Sequence, residues 1–195
     1  MTWNQGGYAR GAGYAHRREW TAVSSAAPRH WMLRYKNHGD LMDRAVPMIS
    51  EAMAAGSPVV IVVPDAESRI WVQHLDSLDI LENNGSIRLM VYPVNLRGWV
   101  WGLRAAFVGA QRMLEERLEA GGRDVLVIVR LPDVLLLNGE IQGVQEVEDV
   151  LTNMALLGPI VCAYHETLAL PADIKERHHK VAKPRAIPKT ALATA

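Results

Sequence analysis

Residues Gly56–Leu75 read GSPVVIVVPDAESRIWVQHL, and this stretch decides the fold. Pro58-Val-Val-Ile-Val-Val63 is a short apolar run, almost wholly β-branched, of the kind that forms a strand covered on both faces in a parallel sheet. Pro64 stops the strand, and Asp65 stands where a helix N-cap is wanted, with Glu67 in the first turn. Ile70, Val72, Leu75 and Leu78 then recur with helix-compatible spacing. The unit is a strand, a tight turn and a helix, the building block of an α/β sheet.

Outward from that unit the chain repeats the pattern. On the N-terminal side, His30–Tyr35 (HWMLRY) reads as a strand. Asn37-His38-Gly39 reads as a turn, and Asp40 as the cap of a helix reaching about Ala55, with Gly56 at its C′ position and Pro47 inside it. On the C-terminal side, Asn83-Asn84-Gly85 turns the chain into strand Ile87–Tyr92, closed by Pro93. The spacing over Asn95–Gly121 predicts the longest helix. Asp124–Arg130 (DVLVIVR) is a second buried strand, followed by LPDVLLLNGE, read as a loop or short turn on the sheet edge. A helix over Val144–Leu157, a last strand at Ile160–Tyr164 and a short Pro-started helix over Ala172–Val181 complete the pattern. The expected fold is one α/β domain, residues 29–181, with a mainly parallel central sheet between helical layers.

The chain has 195 residues, 49% apolar and 22% charged, which suits one full-sized globular domain. Its zero net charge is unevenly spread. Residues 1–38 hold six Lys/Arg against one acid, and residues 172–195 hold six against two. The body between them holds nine arginines against eighteen acids. Residues 1–28, glycine-rich with Trp3, Tyr8, Tyr14 and Trp20 among arginines, read as a disordered or docking arm, and residues 182–195 as a basic, Pro-broken tail. Both ends could touch nucleic acid or an acidic partner, or stay solvated. No signal peptide or apolar run long enough to span a membrane is visible. The single cysteine, Cys162, rules out an internal disulfide framework or a zinc site built on cysteines, and fits a cytoplasmic setting.

Nucleotide-binding motifs are missing. No lysine lies between Lys36 and Lys175, so G-x-x-x-x-G-K-[ST] has no counterpart, and G-x-G-x-x-G is absent. Val125–Val129 resembles a Walker B strand, but Arg130 follows it and Asp133 comes only after Leu131-Pro132. The order HWMLRYKNHGDLMDRAVPMISEAMAAGSPVVIVV, a helix, then LENNGSIRLMVY resembles the sensory domain named after methanogens, methylotrophs and the DcmR regulator. Tyr35, Pro47, Ala55-Gly56 and Gly85 carry the likeness, joined by Tyr164 and Pro171 in PIVCAYHETLALPADIKE. That family is similar to the KaiC/RecA core without its P-loop. The resemblance implies a three-layer RecA-like domain and ligand or signal sensing in regulation, and supplies no catalytic residues.

In open α/β sheets ligands sit outside the carboxyl ends of the strands. That rule nominates Asp65, Ser68 and Arg69, then Asn95 and Arg97, Arg130 and Asp133, and His165 and Glu166. Asp65 is most simply an N-cap. Arg69 and Arg97 could clamp an anion or pair with surface acids. Arg130, directly after a buried strand, needs an anionic partner, with Asp133 or Glu140 in reach. His165-Glu166 could act as an acid/base pair only beside a nucleophile, and G-x-S-x-G is missing. Cys162 reads as a core thiol. His178 and His179, adjacent on a helix, point about 100° apart and cannot readily share one ion with His165, so neither a metal nor a cofactor is expected. Trp99 and Trp101 make a binding patch if both are exposed, and ordinary packing if one is buried.

The reading that follows is a non-catalytic regulatory or sensory module that binds a small ligand or a protein partner. The partner could be a RecA-type ATPase that it regulates or inhibits, or a second copy of the chain. An enzyme using Arg130, Asp133 and Arg69 at a non-standard phosphate site is the alternative. DNA binding through the basic arms is a third.

Overall fold

The computed structural model describes residues 29–78, 89–122, 124–155, 157–178 and 180–181. The expected arm (1–28), the tail (182–195) and the Asn83-Asn84-Gly85 turn lie outside the described residues. Within them the chain runs β1 (His30–Tyr35), α1 (His38–Ala54), β2 (Val59–Pro64), α2 (Asp65–Asp76) and β3 (Leu89–Val94). A 3₁₀ turn, Leu96–Gly98, leads into α3 (Trp99–Glu119), then β4 (Leu126–Val129), α4 (Leu131–Leu137) and α5 (Ile141–Met154). The described residues end with β5 (Ile160–His165), α6 (Ala172–Arg177) and the short β6 (Lys180–Val181).

The strands form one sheet in the order β3-β2-β4-β5-β1-β6, and every pairing is parallel. From β1 to β3 the chain crosses the sheet in one direction, with α1 and α2 on one face. From β3 to β6 it returns the other way, with α3, α4, α5 and α6 on the other face. Right-handed crossovers demand that a reversal of direction also switches faces. The result is a three-layer α/β domain with two cores. Leu33, Ile61, Val63 and Ile128 face α1 and α2, while Val60, Val62, Val127 and Cys162 face the α3–α6 layer. Every residue of β2 and β4 is buried, as their β-branched runs require.

Local chemistry sets the element ends, not always as the sequence suggested. Asn37, rather than Asp40, caps α1: its Oδ1 accepts the Asp40 amide at 3.0 Å. The Asp40 carboxylate instead accepts from the Arg44 guanidinium and the Lys36 amide, which hold it below the usual carboxylate range. At the far end Gly56, at φ +72°, and Ser57 donate to the Met53 and Ala52 carbonyls, a complete Schellman closure. Asp65 is the first helical residue of α2 and makes no cap hydrogen bond. The face α2 buries is Trp71 and Leu75; Ile70, Val72 and Leu78 are exposed. The segment LPDVLLL is a helix, α4, because Pro132 sits in the first turn, where its missing N–H costs nothing, and Asp133 adds an acid there. Pro93 lies within β3, an edge strand, where a lost ladder donor is tolerated.

Candidate functional site at the carboxyl edge of the sheet

Because all strands are parallel, Tyr35, Pro64, Val129 and His165 end at one edge. Arg130 follows β4 there, anchored by its amide donating to the Val62 carbonyl at 3.0 Å. Its half-turn into α4 brings Asp133, wholly buried, under the same edge. The first turn of α2 carries Glu67 over from β2.

These groups interlock. Arg130 Nη1 donates to Glu67 Oε1, and its Nη2 lies 3.4 Å from Asp133 Oδ2. Arg130 Nε donates to the Tyr35 hydroxyl at 3.0 Å, and that hydroxyl in turn donates to Asp133 Oδ2. The guanidinium also lies 5.4 Å from the Tyr35 ring centroid. The second oxygen of Asp133 accepts the His165 amide at 3.4 Å. Burial, reinforced by donation to Asp133, pushes the Tyr35 phenol far above its ordinary value, so it stays protonated as a donor. For Arg130, burial works against the charge, but the Glu67 carboxylate outweighs it and the guanidinium is raised further.

Beside this network lie three buried polar atoms with no hydrogen-bond partner among the described residues: His38 Nε2, Trp71 Nε1 and Glu67 Oε2. Glu67 and Trp71 stand one helical turn apart on α2, and the Trp71 ring meets His38 edge-on, centroids 6.4 Å apart. Burial holds the His38 imidazole below its ordinary value; Glu67 pulls it up, and Arg130 and His74 push it down. The three groups, neighbours through the His38–Trp71 ring contact, the helical turn from Glu67 to Trp71 and the electrostatic pull of Glu67 on His38, offer an indole donor, a carboxylate acceptor and an imidazole nitrogen.

Of the residues nominated from sequence, the network joins Arg130, Asp133 and the His165 amide. The partner of Arg130 is Glu67 together with Asp133, not Glu140. The His165 ring faces the Lys36 carbonyl at 2.6 Å and Thr167 Oγ1 at 2.7 Å. Asp65, Arg69 and Arg97 are exposed and take no part in these bonds. Asn95 caps the 3₁₀ turn through the Arg97 amide. The two tryptophans divide: Trp99 packs on the core, while Trp101 is 73% exposed with Arg104 over its ring. Sequence reasoning passed over Tyr35 as a site residue, and over His38 and Trp71. Glu67, read only as a first-turn acid of α2, was passed over too, and Tyr35 was marked only by ending a buried strand and by its part in the family likeness.

A family model described as the methanogen/methylotroph, DcmR sensory domain (MEDS) matches residues 29–179. The chain belongs to this family. The match spans the α/β unit from the start of β1 to the end of α6, so the carboxyl-edge network lies wholly within the MEDS domain. Comparison with curated proteins and with solved structures gave no significant match. No helix among the described residues is long and apolar enough to cross a membrane.

Proposed function

We propose that this MEDS domain is a non-catalytic sensor that binds a small polar ligand at the carboxyl edge, between the first turns of α1 and α2. The observation carrying this reading is the trio His38 Nε2, Trp71 Nε1 and Glu67 Oε2, buried beside Arg130 without hydrogen-bond partners among the described residues. An unmatched buried polar atom costs about 1–3 kcal/mol, and a ligand that satisfies three of them recovers much of that. The indole N–H calls for an acceptor on the ligand, and the Glu67 oxygen for a hydroxyl or ammonium donor.

The same geometry argues against a phosphate site. Arg130 is already met by two carboxylates and a phenol, so an anion would have to displace Glu67 and leave that carboxylate half-buried and unpaired. This weakens the alternative in which Arg130, Asp133 and Arg69 replace the missing P-loop lysine. The DNA-binding alternative rests on arms outside the described residues.

The test is a thermal-shift panel of small alcohols, amines and amino acids, with ATP and inorganic phosphate as anion controls. A ligand of the proposed class should raise the melting temperature of the wild type and lose affinity about fivefold or more in Trp71→Phe, in keeping with one lost hydrogen bond. Stabilisation by ATP alone, undiminished in Trp71→Phe, would contradict the proposal.

A further inference from the structure

A second cluster lies away from the carboxyl-edge network, on the face covered by α5 and α6. His30 opens β1, and Cys162 lies in β5, the neighbouring strand, two residues beyond the one paired with His30, so both side chains share a face. Glu148 reaches in from α5, and His178 from the end of α6. One potential ligand atom from each of the four lies within 4.8 Å of the others. His30 Nε2 is 3.1 Å from Cys162 Sγ and 3.4 Å from Glu148 Oε2, and His178 Nε2 is 3.6 Å from the same carboxylate oxygen. The side chains are 3%, 0% and 1% exposed for His30, Glu148 and His178, and Cys162 is fully buried.

We propose that His30, Glu148, Cys162 and His178 form a tetrahedral site for a divalent transition-metal ion of the zinc class. Zinc bonds of 2.0–2.3 Å place tetrahedral ligand atoms about 3.3–3.7 Å apart; the contacts of 3.1, 3.4 and 3.6 Å lie close to that range, and all four atoms fall within 4.8 Å of one another, so small side-chain adjustments close the site on an ion. Two imidazoles, a thiolate and a carboxylate are the borderline-soft donor set such ions select. The outer contacts agree. His178 Nδ1 donates to the Ile174 carbonyl at 2.7 Å, which fixes the tautomer with the Nε2 lone pair turned to the cluster. The Tyr164 hydroxyl donates to Glu148 Oε1 at 2.5 Å, orienting the carboxylate and leaving Oε2 to face the imidazoles. As the sulfur–metal bond forms, the thiol proton of Cys162 leaves to solvent. Thiolate and carboxylate then balance the 2+ ion, so the buried centre is neutral. Four protein ligands fill the coordination sphere, which marks the site as structural, clamping the end of α6 to β1, β5 and α5. The sequence reading weighed His178 only with His179 and His165; the ligands come instead from four separate elements.

The test uses the full chain without a polyhistidine tag, stripped with chelator and reloaded with Zn²⁺ or Co²⁺. One ion per chain is expected, with a higher melting temperature than the stripped protein. The Co²⁺ form should show visible absorption with a sulfur-to-metal charge-transfer band that Cys162→Ser abolishes. His178→Gln, at a helix end where folding is least threatened, should weaken binding about tenfold or more, as loss of one of four ligands implies. Substoichiometric metal, an unchanged melting temperature with and without chelator, and no charge-transfer band in the wild type would overturn the proposal.

Discussion

The Tyr35 hydroxyl receives from Arg130 and gives to Asp133, so it carries the proton that keeps a fully buried carboxylate satisfied. Tyr35→Phe deletes that proton while keeping the ring, and should cost about 1–3 kcal/mol in urea unfolding, the desolvation penalty of an acceptor left short of a donor. His38 gives a pH signature. Its folded value lies below the ordinary one, so the unfolded chain binds the proton more readily. The contribution is present above pH ~6.5 and is lost as pH falls through the folded value. The raised Glu148 carboxyl, at about 7, works the other way over the same range, so the His38 effect is read as a difference: between about pH 7.5 and pH 5.5 the wild type should lose more melting temperature, or gain less, than His38→Gln. Equal slopes for the two proteins would remove His38 as the cause. At this scale the sequence revealed half of the site. Arg130 was legible because a guanidinium straight after a buried strand must be neutralised. Its main partner was not, because Glu67 lies on another element, 63 residues away in the chain, and only the sheet order brings β2 beside β4.

Elements were legible where one force dominated. The β-branched runs of β2 and β4 and the Gly56 closure of α1 appear where pattern and turn chemistry put them. Errors arose where tertiary packing chose among local options. The buried face of α2 is Trp71–Leu75, and α4 is a helix that its proline disguised. The sharpest backbone prediction concerns the approach to β5. Gly158 has φ +153°, and a Cβ there would stand 2.3 Å from the Val125 carbonyl oxygen, a backbone atom held beside it by the Val125–Leu157 hydrogen bond. Gly158→Ala should cost on the order of 2 kcal/mol or more. Gly98→Ala is the control: φ is −123° and nothing lies within 4 Å, so denaturation should shift by less than about 0.5 kcal/mol.

Across the whole molecule, one reversal of chain direction sets up both proposed sites. It puts α1 and α2 on one face, bringing His38, Glu67 and Trp71 to the carboxyl edge, and α5 and α6 on the other, where Glu148 and His178 meet His30 and Cys162. On these two proposals, the four-residue cluster holds α6 in place while a ligand meets the carboxyl edge beside α1 and α2. The proposed ligand accepts from the Trp71 indole, and that N–H can be observed directly. In a ¹H–¹⁵N spectrum the indole signals of the chain's six tryptophans separate from the backbone, and the one missing in Trp71→Phe is that of Trp71. Titrating the wild type with the compound that most raises its melting temperature should move the Trp71 signal first and furthest. A stationary Trp71 signal, with shifts confined to other indoles, would rule out ligand binding at Trp71.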